Sequence, residues 1–202
     1  MRPRFDDGVV DVSAEDLAWW AGGWGPWLSA SFAALVGFWM LGAYNRLMRL
    51  RNAVAQAWQP VEAQLQRRAT ALPELVAALR SPLASEHRAL DAVLAQQAQV
   101  LAGTARLKTK PLAEEAAQAL VVAMSGLDAS LARVLALMEQ HTELRSEAAL
   151  ATLRRELHDT DLRLAMARQH FNDAAENHDA AVLEWPTRAL ARLYGFASAG
   201  RL

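Results

Sequence analysis

Five histidines are the residues of this chain best suited to metal or proton chemistry, so their spacing is the first test. A di-metal site in a helical bundle needs Glu-x-x-His pairs on facing helices. The residues three before His87, His141, His158, His170 and His178 are Ala84, Met138, Arg155, Ala167 and Ala175, so no such pair exists. His-Glu-x-x-His is absent too. His158 with Asp159 and Asp161 is the remaining metal-ligand grouping, and a solvated polar face accounts for it more simply. Acyl transfer would need a nucleophile on a strained turn, yet no G-x-S-x-G occurs, and Ser125 and Ser130 read as small packing residues. Gly22, Gly23 and Gly25 lie among tryptophans and form no phosphate loop. The chain has no cysteine, which excludes disulfides, thiolate metal sites and cysteine nucleophiles. No catalytic residue, cofactor site or metal site is expected.

Two positions keep a sharper reading. Arg67-Arg68 either pairs with acids of a neighbouring helix such as Glu156 or Asp161, or forms a docking point for an acidic partner. His178 falls at a seam position between Phe171 and Trp185, where it is a hydrogen-bonded core imidazole, a pH-responsive switch or a ligand contact.

Helices must position all of these side chains. Ala, Leu, Glu, Gln and Arg dominate the 202 residues, with only 10 glycines and 7 prolines, which is the composition of long helices. The length permits one domain with a core plus an appended segment. Twenty-one basic against 22 acidic residues leave a formal charge of −1, so no nucleic-acid partner is expected.

Hydrophobic spacing divides the C-terminal part into four helices. Leu47, Val54, Val61, Arg68 and Leu75, with Leu50, Trp58, Leu65, Leu72 and Leu79, give the first an apolar face whose single charge is Arg68. Pro60 and Pro73 should bend or restart it. Ser81-Pro82 marks a turn into a second helix, about Leu83 to Arg106, with Leu83, Leu90, Leu94 and Leu101 on one side. Gly103 to Pro111 reads as a polar connection. The third helix pairs Ala113, Leu120, Leu127 and Val134 with Ala117, Met124, Leu131 and Met138, ending near His141-Thr142. Ser146 caps the fourth, where Leu150, Leu157, Leu164, Phe171, His178 and Trp185 recur every seven residues beside Leu153, Thr160, Ala167, Ala174 and Ala181. Pro186 stops it, and Thr187 to Phe196 offers a short terminal helix.

The N-terminal part is different. No charge occurs between Asp16 and Arg46, and Trp27 to Tyr44 is apolar apart from Ser29 and Ser31. Eighteen helical residues span roughly 27 Å, close to the hydrocarbon thickness. Trp19, Trp20, Trp24 and Trp27 before the span and Tyr44 at its end suit the two headgroup levels. A signal peptide would carry a basic start and a shorter apolar run, whereas Asp6, Asp7, Asp11, Glu15 and Asp16 precede this one. Arg46, Arg49 and Arg51 follow it directly, which predicts a cytoplasmic C-terminal part, and they also suit anionic headgroups.

The same residues resemble the LemA family of bacterial membrane proteins. Tyr44-Asn45, Leu47, Leu50-Arg51-Asn52, Val54, Ala57-Trp58, Gln64-Leu65, Arg67-Arg68, Leu72-Pro73 and Leu75-Val76 look like its N-terminal signature. Leu153, Glu156-Leu157, Thr160, Arg163, Ala167-Arg168, Phe171-Asn172-Asp173-Ala174, Trp185-Pro186 and Gly195-Phe196 resemble its C-terminal pattern. Pro60, Thr70, Glu74, His141-Thr142 and His178-Asp179 depart from it. The resemblance covers about residues 44 to 196, and implies an anchored, long antiparallel bundle without an enzymatic activity.

The expected fold is therefore all-α: an N-terminal transmembrane helix continuing into a long antiparallel bundle of four-helix type. The expected divisions are a tail and Trp-rich interface segment (1–26), the span (27–44), the LemA-like bundle (45–196) and a tail (197–202). The function expected is a scaffold or adaptor in the bacterial inner membrane, N-terminus outside. Its partners would be the lipid bilayer and unidentified cytoplasmic or membrane proteins, and a homo-oligomer is compatible with it. The alternatives are an accessory subunit of a membrane enzyme complex and a metal or small-ligand sensor.

Overall fold

Runs of good helix formers, broken by few glycines and prolines, fold into long helices, four of them among the described residues. The structure, a computed structural model, describes residues 25–141, 143–144, 147–184, 188 and 198–202. Within these residues there is no strand; the helices are α1 (Gly25–Leu79), α2 (His87–Thr109), α3 (Glu114–Gln140) and α4 (Ala148–Leu183). Trp19, Trp20, Trp24, the Ser146 cap, the Trp185-Pro186 stop and the short terminal helix expected over Thr187 to Phe196, Arg188 apart, lie outside the described residues. The chain divides into two units, Met1–Ala43 and Tyr44–Leu202.

In the first unit, α1 opens with Pro26 in its first turn, where the missing N–H is no loss, and Ser29 Oγ donates to the Pro26 carbonyl at 2.9 Å. Nearly every side chain from Pro26 to Ala43 is exposed. Trp27, Leu28, Phe32, Leu35 and Phe38 are each at least two-thirds exposed, so a continuous apolar surface surrounds a backbone whose hydrogen bonds close internally. That is what a hydrocarbon environment requires. This helix is long and apolar enough to cross a membrane. So is α3, but seven of its residues are buried in the bundle core.

In the second unit all four helices feed one core. On α1 the expected seam is buried from Leu47 to Leu79, Leu50 alone being half-buried. Helix α1 does not restart at Pro60 or Pro73. Both prolines lie on its exposed side, while Val61, Leu65, Leu72 and Leu75 are held in the core around them. On α3 the seam is buried as spaced, except that Ala113 precedes the helix and is half-buried. On α4, Ala175 enters the core where Ala174 was expected, and Leu153 is half-buried.

Helix α2 requires correction. It begins at His87, because the Leu83 amide bonds the Leu79 carbonyl at 2.9 Å and a single 3₁₀ turn, Ala84–Glu86, intervenes. Leu83 thereby plugs the end of the core at 1% exposure instead of opening a helix. The buried face of α2 includes Leu90, Val93, Gln97, Val100, Thr104 and Leu107; of the residues expected there Leu90 is in place, Leu94 packs half-buried against the core and Leu101 is exposed. Nor is Gly103 to Thr109 a connection, since the helix runs through it. Gly103 packs closely inside: a Cβ there would lie 3.1 Å from Leu120 Cδ1 on α3, so a larger residue would require Leu120 to shift.

Cross-helix pairs give the helix order. Glu62 on α1 and Arg80 directly after it meet Lys108 and Asp91 on α2, so α2 runs back along α1. Gly103 and Gly126 face Leu120 and Gln96, setting α2 and α3 antiparallel, and Arg154 on α4 meets Glu139 on α3. Arg46, Trp58 and Arg68 on α1 meet Glu184, Phe171 and Asp161 on α4, a third antiparallel match. Residues 198–202 return as an extended strap: Asn172 bonds both the amide and the carbonyl of Leu202 at 2.8 Å, and Asp179 Oδ1 accepts the Ala199 amide at 2.7 Å. Gly200 lies so close to α3 that a Cβ would come within 2.5 Å of Ala117 Cβ.

Leu131 and Leu157 are 5% and 4% exposed. Truncating either to Ala is expected to destabilise the bundle by about 2–4 kcal/mol, whereas Gln99→Ala on the exposed side changes little. Urea unfolding followed by circular dichroism measures both, and parental midpoints for the leucine variants would refute the core assignment. Gly200→Leu should release the strap, seen as faster hydrogen exchange at the Ala199 and Leu202 amides with the helices unchanged.

Candidate functional site

The charge in the α1 seam is where the bundle departs most from a Leu/Ala core. Arg68 is 3% exposed, and a buried guanidinium is tolerated only when partnered. Two partners come from different helices. Arg68 Nη2 donates to Asp128 Oδ1 of α3 at 2.5 Å. Its Nε lies 3.5 Å from Asp161 Oδ1 of α4, close enough for charge attraction but without hydrogen-bond geometry. The two aspartate side chains are 57% and 43% exposed, but the Asp161 Oδ1 that faces the dry arginine is itself buried. Burial holds the Asp161 carboxyl above the usual carboxylate range; Arg68 opposes this, Asp128 adds to it, and His158 opposes it again.

Of the two acids expected opposite the Arg67-Arg68 pair, Asp161 is in place and the Glu156 side chain is not; the Glu156 carbonyl instead accepts from Thr160. Arg67 is exposed on α1. Asp128 escaped sequence reasoning because it stands just outside the α3 seam, where an acid reads as ordinary surface. Its only signal was a charge in an otherwise uncharged stretch of α3 from Ala116 to Ala132.

The other named residues are dispersed. Trp27 is 75% exposed and Tyr44 38%. Arg46 pairs with Glu184 at 3.0 Å, while Arg49 and Arg51 are exposed. His178 is fully buried, with Nδ1 3.3 Å from Asp179 Oδ1 and no partner for Nε2 among the described residues. Asp179 therefore touches both the imidazole and the strap. His158, Asp159 and Asp161 line an open groove of about 550 Å³ with Arg154, Arg155 and Leu131. Two of its charges are already engaged, Arg154 with Glu139 and Asp161 with Arg68. Among the described residues no group of three or more His, Asp or Glu could hold a metal ion.

An all-α chain with one long exposed apolar helix segment and a bundle pinned by a buried arginine defines a class of helical-bundle proteins. The model of the LemA family matches residues 57–201, and the chain belongs to that family. It is also similar to the magnetosome protein MamQ of Magnetospirillum gryphiswaldense, 32% identical over 81 residues. Those residues are 40% of this chain and only 30% of that relative's length.

Removing Arg68 leaves two acids facing an empty core position. Loss of a partner costs about 3–5 kcal/mol when both charges are dry; with both aspartates reaching solvent, Arg68→Ala is expected to cost about 1–3 kcal/mol. The folded state holds the Asp161 proton more tightly than the unfolded chain does. Its contribution is therefore most favourable below the usual carboxylate value and is lost as pH rises through the raised one. Asp161→Asn should flatten that fall in urea midpoint above about pH 4. An unchanged slope would assign it to other groups.

Proposed function

We propose that this chain is a single-pass, membrane-tethered helical scaffold or adaptor, with its N-terminus outside and its bundle in the cytoplasm. The observation that carries the reading is the exposed apolar surface of α1 from Trp27 to Ala43. In water so large an apolar surface would drive association; in a bilayer it is at home. Arg46, Arg49 and Arg51 directly after it support the orientation. Membership of the LemA family and the likeness to a magnetosome protein agree with a membrane setting.

The bundle interior supports scaffolding over turnover. Its core is Leu, Ala, Val and Met with Trp58 and Phe171; among the described residues its buried polar side chains are Gln97, Thr104, Thr160, His178 and Arg68, the last in an ion cluster that links helices. Scaffolds spread binding over several surface contacts, so single exposed alanines cost little unless they remove an anchor residue. A second reading, a small-ligand sensor, rests on the groove beside His158; it is the weaker one because that groove is open and two of its charges are already paired.

The full chain is expected in the membrane fraction, and deletion of residues 1–44 should move it to the soluble fraction. Protease added outside intact cells should leave the bundle whole. Soluble full-length chain would refute the tether, and external cleavage of the bundle would reverse its orientation. In cellular complementation, alanine at Arg67, His158, Asp159 or His178 should retain activity where folding is retained. One folded, inserted variant that abolishes a measurable turnover would replace the scaffold reading with an enzyme.

A further inference from the structure

Helix α3 carries a second stripe opposite its seam. Glu115, Ala119, Val122, Gly126, Ala129 and Arg133 recur at intervals of three and four residues, which places them on one face. All are exposed except the half-buried Gly126, and Val122 is 72% exposed. Between Glu115 and Arg133 the only charge on α3 is Asp128, which is turned to Arg68. The adjoining outer side of α2 is also uncharged at Ala92, Ala95, Gln99 and Ala102. Beside it, an open groove of about 810 Å³ between α2 and α3 is lined by Ala92, Gly126, Ala129 and Arg133, and also by Glu86 and Arg88. Neither Glu115 nor Arg133 forms an ion pair among the described residues.

We propose that this face is a self-association surface, covered by α3 of a second copy lying antiparallel across it. Charge placement selects both the partner and its direction. The acid and the base stand at opposite ends of the stripe, five helical turns or about 27 Å apart. An antiparallel crossing at the level of Met124 sets Arg133 against Glu115 of the second copy, and by the two-fold the same pair forms again at the other end. It also sets Ala129 against Ala119 on either side of Val122, small residues that let the helices approach closely, while Gly126 faces Gln96 of its own α2. A parallel crossing would oppose acid with acid and base with base.

The strip is roughly 27 Å by 10 Å, well short of the ~800 Å² a side of an ordinary stable interface. Association is therefore weak in free solution and gains from confinement in a bilayer. To that extent it rests on the membrane tether proposed above.

The absence of native cysteine makes single-cysteine reporters clean. The full chain is reconstituted in phosphatidylcholine vesicles and treated with a short thiol-to-thiol cross-linker. Val122→Cys lies near the two-fold and should form a covalent dimer, whereas Ala136→Cys, far from its counterpart in the antiparallel pair, should not. In the Val122→Cys background, Glu115→Arg or Arg133→Glu should each lower dimer yield at least about fivefold, and the two together should restore it. Equal cross-linking at Val122 and Ala136, single reversals without effect, or a double reversal that fails to restore the dimer each overturns the proposal. Flotation of the vesicles reads the tether separately. A chain that floats but does not cross-link at Val122 overturns self-association. A chain that stays in solution overturns the tether alone, and the charge-reversal pattern at raised protein concentration still decides self-association.

Discussion

The bundle depends on a guanidinium that cannot be left alone. Heptad seams of Leu, Val and Ala are nearly self-similar, so sliding one helix by seven residues, roughly 10 Å, returns much the same apolar match. Arg68 breaks that degeneracy. It sits in the dry seam of α1, and only one register of α3 and α4 brings Asp128 and Asp161 to it. The attraction need not stabilise the fold strongly to do this; it is enough that a slipped register strands a buried charge, which is far more costly than a few misplaced methyl groups. The outer pairs, Glu62 with Lys108, Glu139 with Arg154 and Arg46 with Glu184, agree with that register but are solvent-exposed to varying degrees and contribute less.

Around this cluster the molecule solves two solvation problems with one kind of element. The C-terminal unit turns one face of each helix inward, and outside the apolar stripe of α3 and single residues such as Leu162 and Met166 the outward faces are polar. From Pro26 to Ala43 α1 exposes Trp, Phe and Leu and half-buries only Val36, Met40 and Ala43. A helix suits both settings because its backbone hydrogen bonds are satisfied within itself, leaving side chains alone to choose the medium.

The seams of α1, α3 and α4 were legible in the sequence because leucines and their equivalents stand seven apart for several turns. Helix α2 was not. Its core face includes Gln97 and Thr104, which look like surface, while Leu94 packs only half-buried against the core and Leu101, which looks like core, is exposed. Hydrophobicity alone misassigns a helix whose core face carries polar residues at two of its turns. Gly103 misled for a related reason, since a glycine set in close helix packing is indistinguishable in sequence from one that breaks a helix. Arg68 was legible as the odd charge in its seam, and Asp161 as one of its partners; Asp128 was hidden because nothing in a linear pattern says which surface acid a distant arginine will reach. The strap at 198–202 has no periodicity to read, and is held by two side chains, Asn172 and Asp179, that bond its backbone.

The separation of paired residues along the chain has a kinetic consequence. Helices α2 and α3 are joined by a short connection and pair locally, so their hairpin can form as soon as both have been made. Arg68 finds Asp128 60 residues later, but Arg46 and Glu184 are 138 residues apart and meet only when α4 is complete. Loop-closure entropy makes that long-range pairing the slow step. Until α4 arrives, the apolar seams of the first three helices stay partly uncovered. The interval between synthesis of α3 and arrival of α4 is thus when the nascent chain is most open to aggregation.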